Sequence, residues 1–73
     1  MNNYNAHMEY IEIIKDILIT HNLSQDKLAK ILGVNQTTVG QWILGKKKPS
    51  YDSIMAIYQH FGVTPNEIFG IYK

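Results

Sequence analysis

The side chains in this chain that could do selective chemistry are amides and hydroxyls gathered in one short stretch, Gln36, Thr37, Thr38 and Gln41. A glutamine amide can pair with the N6 and N7 edge of adenine, and a threonine offers a methyl group to thymine or a hydroxyl to phosphate. Shortly after them, Lys46, Lys47 and Lys48 are contiguous cations. Such lysines suit phosphate contacts, which add affinity and salt dependence but little discrimination between sequences. Reaction chemistry has no comparable support. His7, His21 and His60 are widely spaced, cysteine is absent, and there is no glycine-rich phosphate loop or zinc-protease motif. Glu9 and Glu12 read as the solvated face of a helix rather than as a paired acid and base. The expectation is a binding protein and not an enzyme, with no catalytic residue, no metal and no cofactor.

Those side chains act only if a frame turns them outward, and their neighbours supply one. Gln25, Ala29, Gly33, Val39 and Trp42 stand at relative positions 1, 5, 9, 15 and 18, the spacing that a helix-turn-helix requires. Ala29 is small where two helices must cross closely. Gly33 permits the positive φ of a tight turn, and Val39 and Trp42 lie three apart on an inward face. The second helix of such a unit can enter a DNA major groove, with its N-terminal residues nearest the bases. Its outward phase collects Gln36, Thr37, Gly40, Gln41 and Leu44, whereas Trp42 shares the phase of Val39 and is expected in the core.

The rest of the chain must hold that unit. Its 73 residues, 45% of them hydrophobic, suffice for one small domain with a modest core. Residues 1–6 carry no apolar periodicity and are expected to form a flexible tail, leaving 7–73 as the folded domain. Met8, Ile11, Ile14, Ile17 and Leu18 give an amphipathic first helix that ends near His21 and Asn22. Ser24 caps a second helix whose stripe is Leu28, Ala29 and Leu32, ending at Gly33. Asn35 is placed to cap a third, which runs through Leu44 until Gly45 and Pro49 stop it. Ser50 caps a fourth, with Ile54, Ile57, Tyr58 and Phe61 at i, i+3, i+4 and i+7 before Gly62. Thr64, Pro65 and Glu67 combine a cap, a first-turn proline and the glutamate of a capping box, and open a last short helix. The expected class is all-α, a compact five-helix bundle containing a helix-turn-helix.

Charge and hydropathy narrow the partners. The net charge is only +1, less basic than bulk attraction to nucleic acid requires. The local lysine cluster therefore matters more than the total. All seven basic residues are lysine, so the bidentate arginine fork that commonly reads guanine is absent. No run approaches a membrane span and the N-terminus lacks the blocks of a signal peptide, which makes a cytoplasmic location the expectation.

From about Leu23 to Phe69 the chain resembles the Cro/cI-type, lambda-repressor-like family of helix-turn-helix regulators. The resemblance is carried by Leu23-Ser24-Gln25 to Leu28-Ala29, the Gly33-Val34 turn, Val39 to Trp42, Gly45-Lys46-Lys47-Lys48-Pro49-Ser50 and Phe61-Gly62-Val63-Thr64. It implies a lambda-repressor-like DNA-binding domain in which the third helix reads double-stranded DNA and dimers meet paired half-sites. Carried onto this sequence, Gln36, Thr37 and Gln41 become the base readers. Gln25, Thr38, Lys46, Lys47 and Lys48 become phosphate contacts, Gln25 also being suited to brace the unit. The implied function is that of a small sequence-specific transcriptional regulator, a Cro-like or repressor-like switch protein of the temperate-phage kind, acting on an operator.

The family often pairs an arginine late in the first helix with a glutamate ending the third, and here those positions hold Leu18 and Ile43. Exchanging both members of an ion pair for packed hydrocarbon is physically sensible, so Leu18 and Ile43 are expected to touch. Leu44 on the outward face, together with Ile19, Ile71 and Tyr72, offers apolar surface to a protein partner or a second copy. The alternative function is accordingly an antirepressor or modulator that binds a partner repressor through its helix-turn-helix surface.

Overall fold

The computed structural model describes the backbone of residues 3–70 and the side chains of residues 10–70. Among the described residues, five helices follow one another: α1 (Asn3–Thr20), α2 (Gln25–Leu32), α3 (Gln36–Ile43), α4 (Tyr51–Phe61) and α5 (Pro65–Ile68). The all-α architecture expected from the periodicity is therefore present. α1 begins at Asn3, inside the stretch expected to be a tail. No glycine or proline lies between Asn3 and Thr20 to stop it, so helical geometry continues past the last apolar repeat.

One core unites the helices. Ile14, Leu28, Val39, Trp42, Ile57 and Ile68 are fully buried at its centre. α2 packs on α3, α1 lies against α3 and α5, and α4 against α2 and α5. The buried positions on α1, namely Tyr10, Ile11, Ile14 and Ile17, recur at the spacing of one helical face. Ile13 is half-buried against this core. On α4, Ile54 and Ile57 are buried and Phe61 is half-buried, but Tyr58 is largely exposed. Phe61 lies against the ring of His21, with centroids 4.9 Å apart, which ties the end of α1 to the end of α4. Leu18 on α1 and Ile43 on α3 are each half-buried against the core. Those surroundings suit hydrocarbon better than an ion pair.

Three helices end in the same way. At the end of α1, the Leu23 N–H donates to the Leu18 carbonyl (2.8 Å) and the Asn22 N–H to Ile19 (3.2 Å), with Asn22 at φ +53°. At the end of α2, Val34 donates to Ala29 (2.9 Å) and Gly33 to Lys30 (3.3 Å). At the end of α3, Lys46 donates to Gln41 (2.9 Å) and Gly45 to Trp42 (3.0 Å). Each is a Schellman stop, in which a left-handed residue lets two N–H groups close the last carbonyls. Gly33 is the clearest requirement, because its φ is +76° and nothing lies within 4 Å of a Cβ added there. Gly33→Ala therefore incurs backbone strain without a clash, and we expect it to cost about 1–2 kcal/mol. Urea denaturation reads this directly, and an unchanged midpoint would contradict it.

The caps are sequence-local. Ser24 accepts from the Lys27 N–H (3.1 Å) and Ser50 from the Ser53 N–H (3.3 Å). Asn35 takes the expected place before α3, yet its side chain makes no capping bond. Its carbonyl instead accepts from Thr38 and Val39, while the exposed amide is left outside the helix. At α5 the capping box is complete: Thr64 N–H donates to Glu67 Oε1 (2.9 Å), and Glu67 N–H donates to Thr64 Oγ1 (3.3 Å). The Thr64 backbone N–H, then its hydroxyl, hold the Glu67 carboxyl below the ordinary value of 4.5. A carboxyl lowered on folding contributes stability that is present above the unfolded value and lost as pH falls through the folded one. Acidification below pH 4.5 should thus lower Tm more for the native chain than for Glu67→Gln. Parallel thermal melts check this, and identical acid profiles would refute it.

Candidate nucleic-acid interface

α3 presents two opposed faces because its eight residues carry only two buried side chains, Val39 and Trp42. These anchor the helix in the core. Gln36 and Thr37 are exposed at its start, and Thr38 and Gln41 are half-buried on its flanks. Of the expected outward group, Gln36 and Thr37 therefore lie away from the interior, while Gln41 stands at the edge of that face. Hydrogen-bonding groups on such a face are free to pair with base edges.

α2 braces this face. Gln25, the first residue of α2, is half-buried, and a Cβ added at Gly40 would stand 3.5 Å from its Oε1. The glutamine side chain thus lies beside the α3 backbone at Gly40, at a distance that a Cβ there would meet as an ordinary contact. A brace fits this geometry, and a phosphate contact would add to it. From sequence alone, Gly40 only lets backbone come near; the closeness of Gln25 depends on how α2 crosses α3, which no local pattern encodes.

The lysines are positioned by the stop of α3. Gly45, at φ +76°, reverses the chain, and the N–H groups of Lys46 and Lys47 both donate to the Gln41 carbonyl, at 2.9 and 3.3 Å. That ties the start of the lysine run to the last turn of α3. All three lysine side chains are exposed, while Pro49 behind them is buried and fixes the loop to the domain. A cationic strip thereby adjoins the amide-bearing face, which is the arrangement that phosphate contacts flanking base contacts require.

Two of the residues expected to offer apolar surface are largely exposed. Leu44 is 69% exposed and Ile19 is 79% exposed. Ile71 and Tyr72 lie outside the described residues. A feature missed in the sequence is the set Leu23, Lys27, Lys30 and Ile31, which line a surface groove on α2. Its signal on α2 was the shared phase of Lys27, Lys30 and Ile31, opposite to Leu28, Ala29 and Leu32; Leu23 joins them from the turn before the helix. Among the described residues, no group of histidines and carboxylates is placed to hold a metal, and no helix is long and apolar enough to cross a membrane.

Known proteins with this pattern agree with the geometry. A helix-turn-helix family model matches residues 14–68. The chain is 34% identical over 61 residues to the HTH-type transcriptional activator BcrR of Enterococcus faecalis, covering 84% of this chain and 30% of BcrR. It thus spans less than a third of that relative's length. It is 43% identical over 53 residues to the uncharacterized HTH-type transcriptional regulator MJ0272 of Methanocaldococcus jannaschii, covering 73% of this chain and 79% of that protein. No solved structure gives a significant match. With the two-faced α3, the glycine turn before it and a family match over residues 14–68, the chain belongs to the Cro/cI-type helix-turn-helix family.

Proposed function

We propose that the chain is a small sequence-specific DNA-binding transcriptional regulator, a Cro-like or repressor-like switch protein of the kind temperate phages use. It acts as a dimer on a double-stranded operator. The observation that carries this reading is the outward placement of Gln36 and Thr37 at the start of a helix anchored by Val39 and Trp42. Gln36, Thr37 and Gln41 read bases in the major groove, and Gln25, Thr38, Lys46, Lys47 and Lys48 hold phosphates. Membership in a family that includes transcriptional regulators supports it.

The test is selection of bound duplexes from a random pool with the native chain and with Gln36→Ala and Gln41→Ala. Losing one good amide–adenine pair removes about 1–3 kcal/mol of discrimination at that base pair. Each variant should therefore relax the preference at one position while keeping the rest. Selection that returns no shared sequence, or the same sequence at full stringency from both variants, would refute the reading.

A second reading is favoured by the exposure of Leu44 and Ile19. In it, the chain is an antirepressor that joins a partner repressor through the same surface and changes the partner's DNA binding. Leu44→Glu places a charge in that contact, so it should abolish capture of the partner while leaving the fold intact. Lys46→Ala, Lys47→Ala and Lys48→Ala should leave capture unchanged in that case. The opposite pattern supports direct operator binding.

A further inference from the structure

The outer face of α2 has a composition that neither α3 nor the core explains. Lys27, Lys30 and Ile31 project away from the buried Leu28, Ala29 and Leu32, and Ile31 remains 38% exposed. Together with Leu23 from the preceding turn they line an open groove of about 330 Å³. Two cations and two aliphatic side chains thus share this groove. Lys30 meets Asp26 at 3.5 Å, but both side chains are largely exposed, and exposed pairs of this type are weak enough to exchange for another carboxylate. Lys27 has no ion-pair partner among the described residues.

We propose that this groove is a docking surface for an acidic segment of a partner protein, one that carries aliphatic or aromatic side chains beside its carboxylates. The aliphatic pair decides against a nucleic-acid backbone, which would satisfy the lysines but offers nothing to Leu23 and Ile31. Position agrees. Gln25, which lies beside Gly40, marks the side of α2 that faces α3, and the groove opens on the other side. That both surfaces can be occupied together rests on the reading of α3 as the DNA-contacting helix; the groove itself does not.

The probe is a fluorescein-labelled dodecapeptide, Asp-Asp-Leu-Asp repeated three times, with a counterpart in which every aspartate is asparagine. The full chain, isotopically labelled, is titrated with each and followed by amide chemical shifts. The acidic peptide should move Leu23, Lys27, Lys30 and Ile31 most, and the asparagine peptide should bind far more weakly. Lys27→Glu with Lys30→Glu should weaken the acidic peptide at least about tenfold, and Lys27→Gln with Lys30→Gln less so, because rim charges steer and hold such contacts. Far-UV circular dichroism confirms that both variants fold. Duplex DNA binding by the variant with Lys27→Gln and Lys30→Gln should keep the native salt slope.

The proposal is overturned if the shifts centre on Lys46 to Lys48, if the charge-reversed variant binds the peptide as well as the native chain, or if the asparagine peptide binds equally. It is also overturned if the double glutamine variant loses duplex affinity with a reduced salt slope, which would assign Lys27 and Lys30 to phosphate. Failure of the native chain to bind any duplex would sink the DNA reading alone, because the peptide titration is judged without DNA.

Discussion

Trp42→Ala should cost about 3–5 kcal/mol of stability, the usual range for emptying a core position of its largest aromatic side chain. Trp42 is 1% exposed and sits on the inward face of α3. The destabilisation combines unburied hydrocarbon with the cavity left when neighbours cannot collapse fully. A domain of this size holds on the order of 4–10 kcal/mol in total, so the variant should be partly or wholly unfolded at physiological temperature. Trp42→Phe keeps most of the volume and should cost markedly less. Urea titration followed by far-UV circular dichroism measures both, and a Trp42→Ala cost below about 1 kcal/mol would show that Trp42 does not anchor α3.

The largest effect on binding should come from replacing Lys46, Lys47 and Lys48 together with alanine. Each phosphate that is no longer neutralised lowers the slope of log affinity against log salt by about 0.9 on duplex DNA. Removing all three ammonium groups should therefore reduce the slope by about 2–3 and weaken binding near 0.1 M salt by roughly a hundredfold or more. The preferred sequence should not change, because lysine–phosphate pairs position the protein without reading bases. All three side chains are exposed, so stability should be nearly unaffected. Affinity measured across a salt series separates the outcomes: a slope equal to that of the native chain would mean the lysines face solvent in the complex.

The two effects arise from different layers of the same short segment, and the sequence revealed those layers unequally. The helices were legible because each carries its own punctuation. Ser24, Ser50 and the Thr64–Glu67 pair cap the starts, and Gly33 and Gly45 supply the left-handed stops. The inward placement of Val39 and Trp42 followed from phase alone. Asn35 was harder, because asparagine at a cap position can bond the helix or turn away, and here its side chain makes no such bond. Tyr58 shared the apolar phase of α4 yet stands largely exposed. Periodicity gives a direction around the helix but not how far the neighbouring helices reach.

The candidate site shows the same division. That Gln36 and Thr37 point outward was readable from their phase against Trp42. The closeness of Gln25 to Gly40 and the groove beside Ile31 were not, since both depend on tertiary packing around α2. The exposure of Leu44 was expected from phase, and its magnitude gives the partner-binding reading its weight.

On the proposed reading, the outer face of α3 meets the DNA bases. This is tested most directly by titrating the isotopically labelled chain with a selected duplex and mapping the shifted side-chain amides and backbone signals. Gln36, Thr37 and Gln41 should move most, with Lys46 to Lys48 next and the core residues Ile14 and Ile57 unmoved. Shifts gathered on α1 or α4, with the side-chain amides of Gln36 and Gln41 unchanged at saturation, would contradict it.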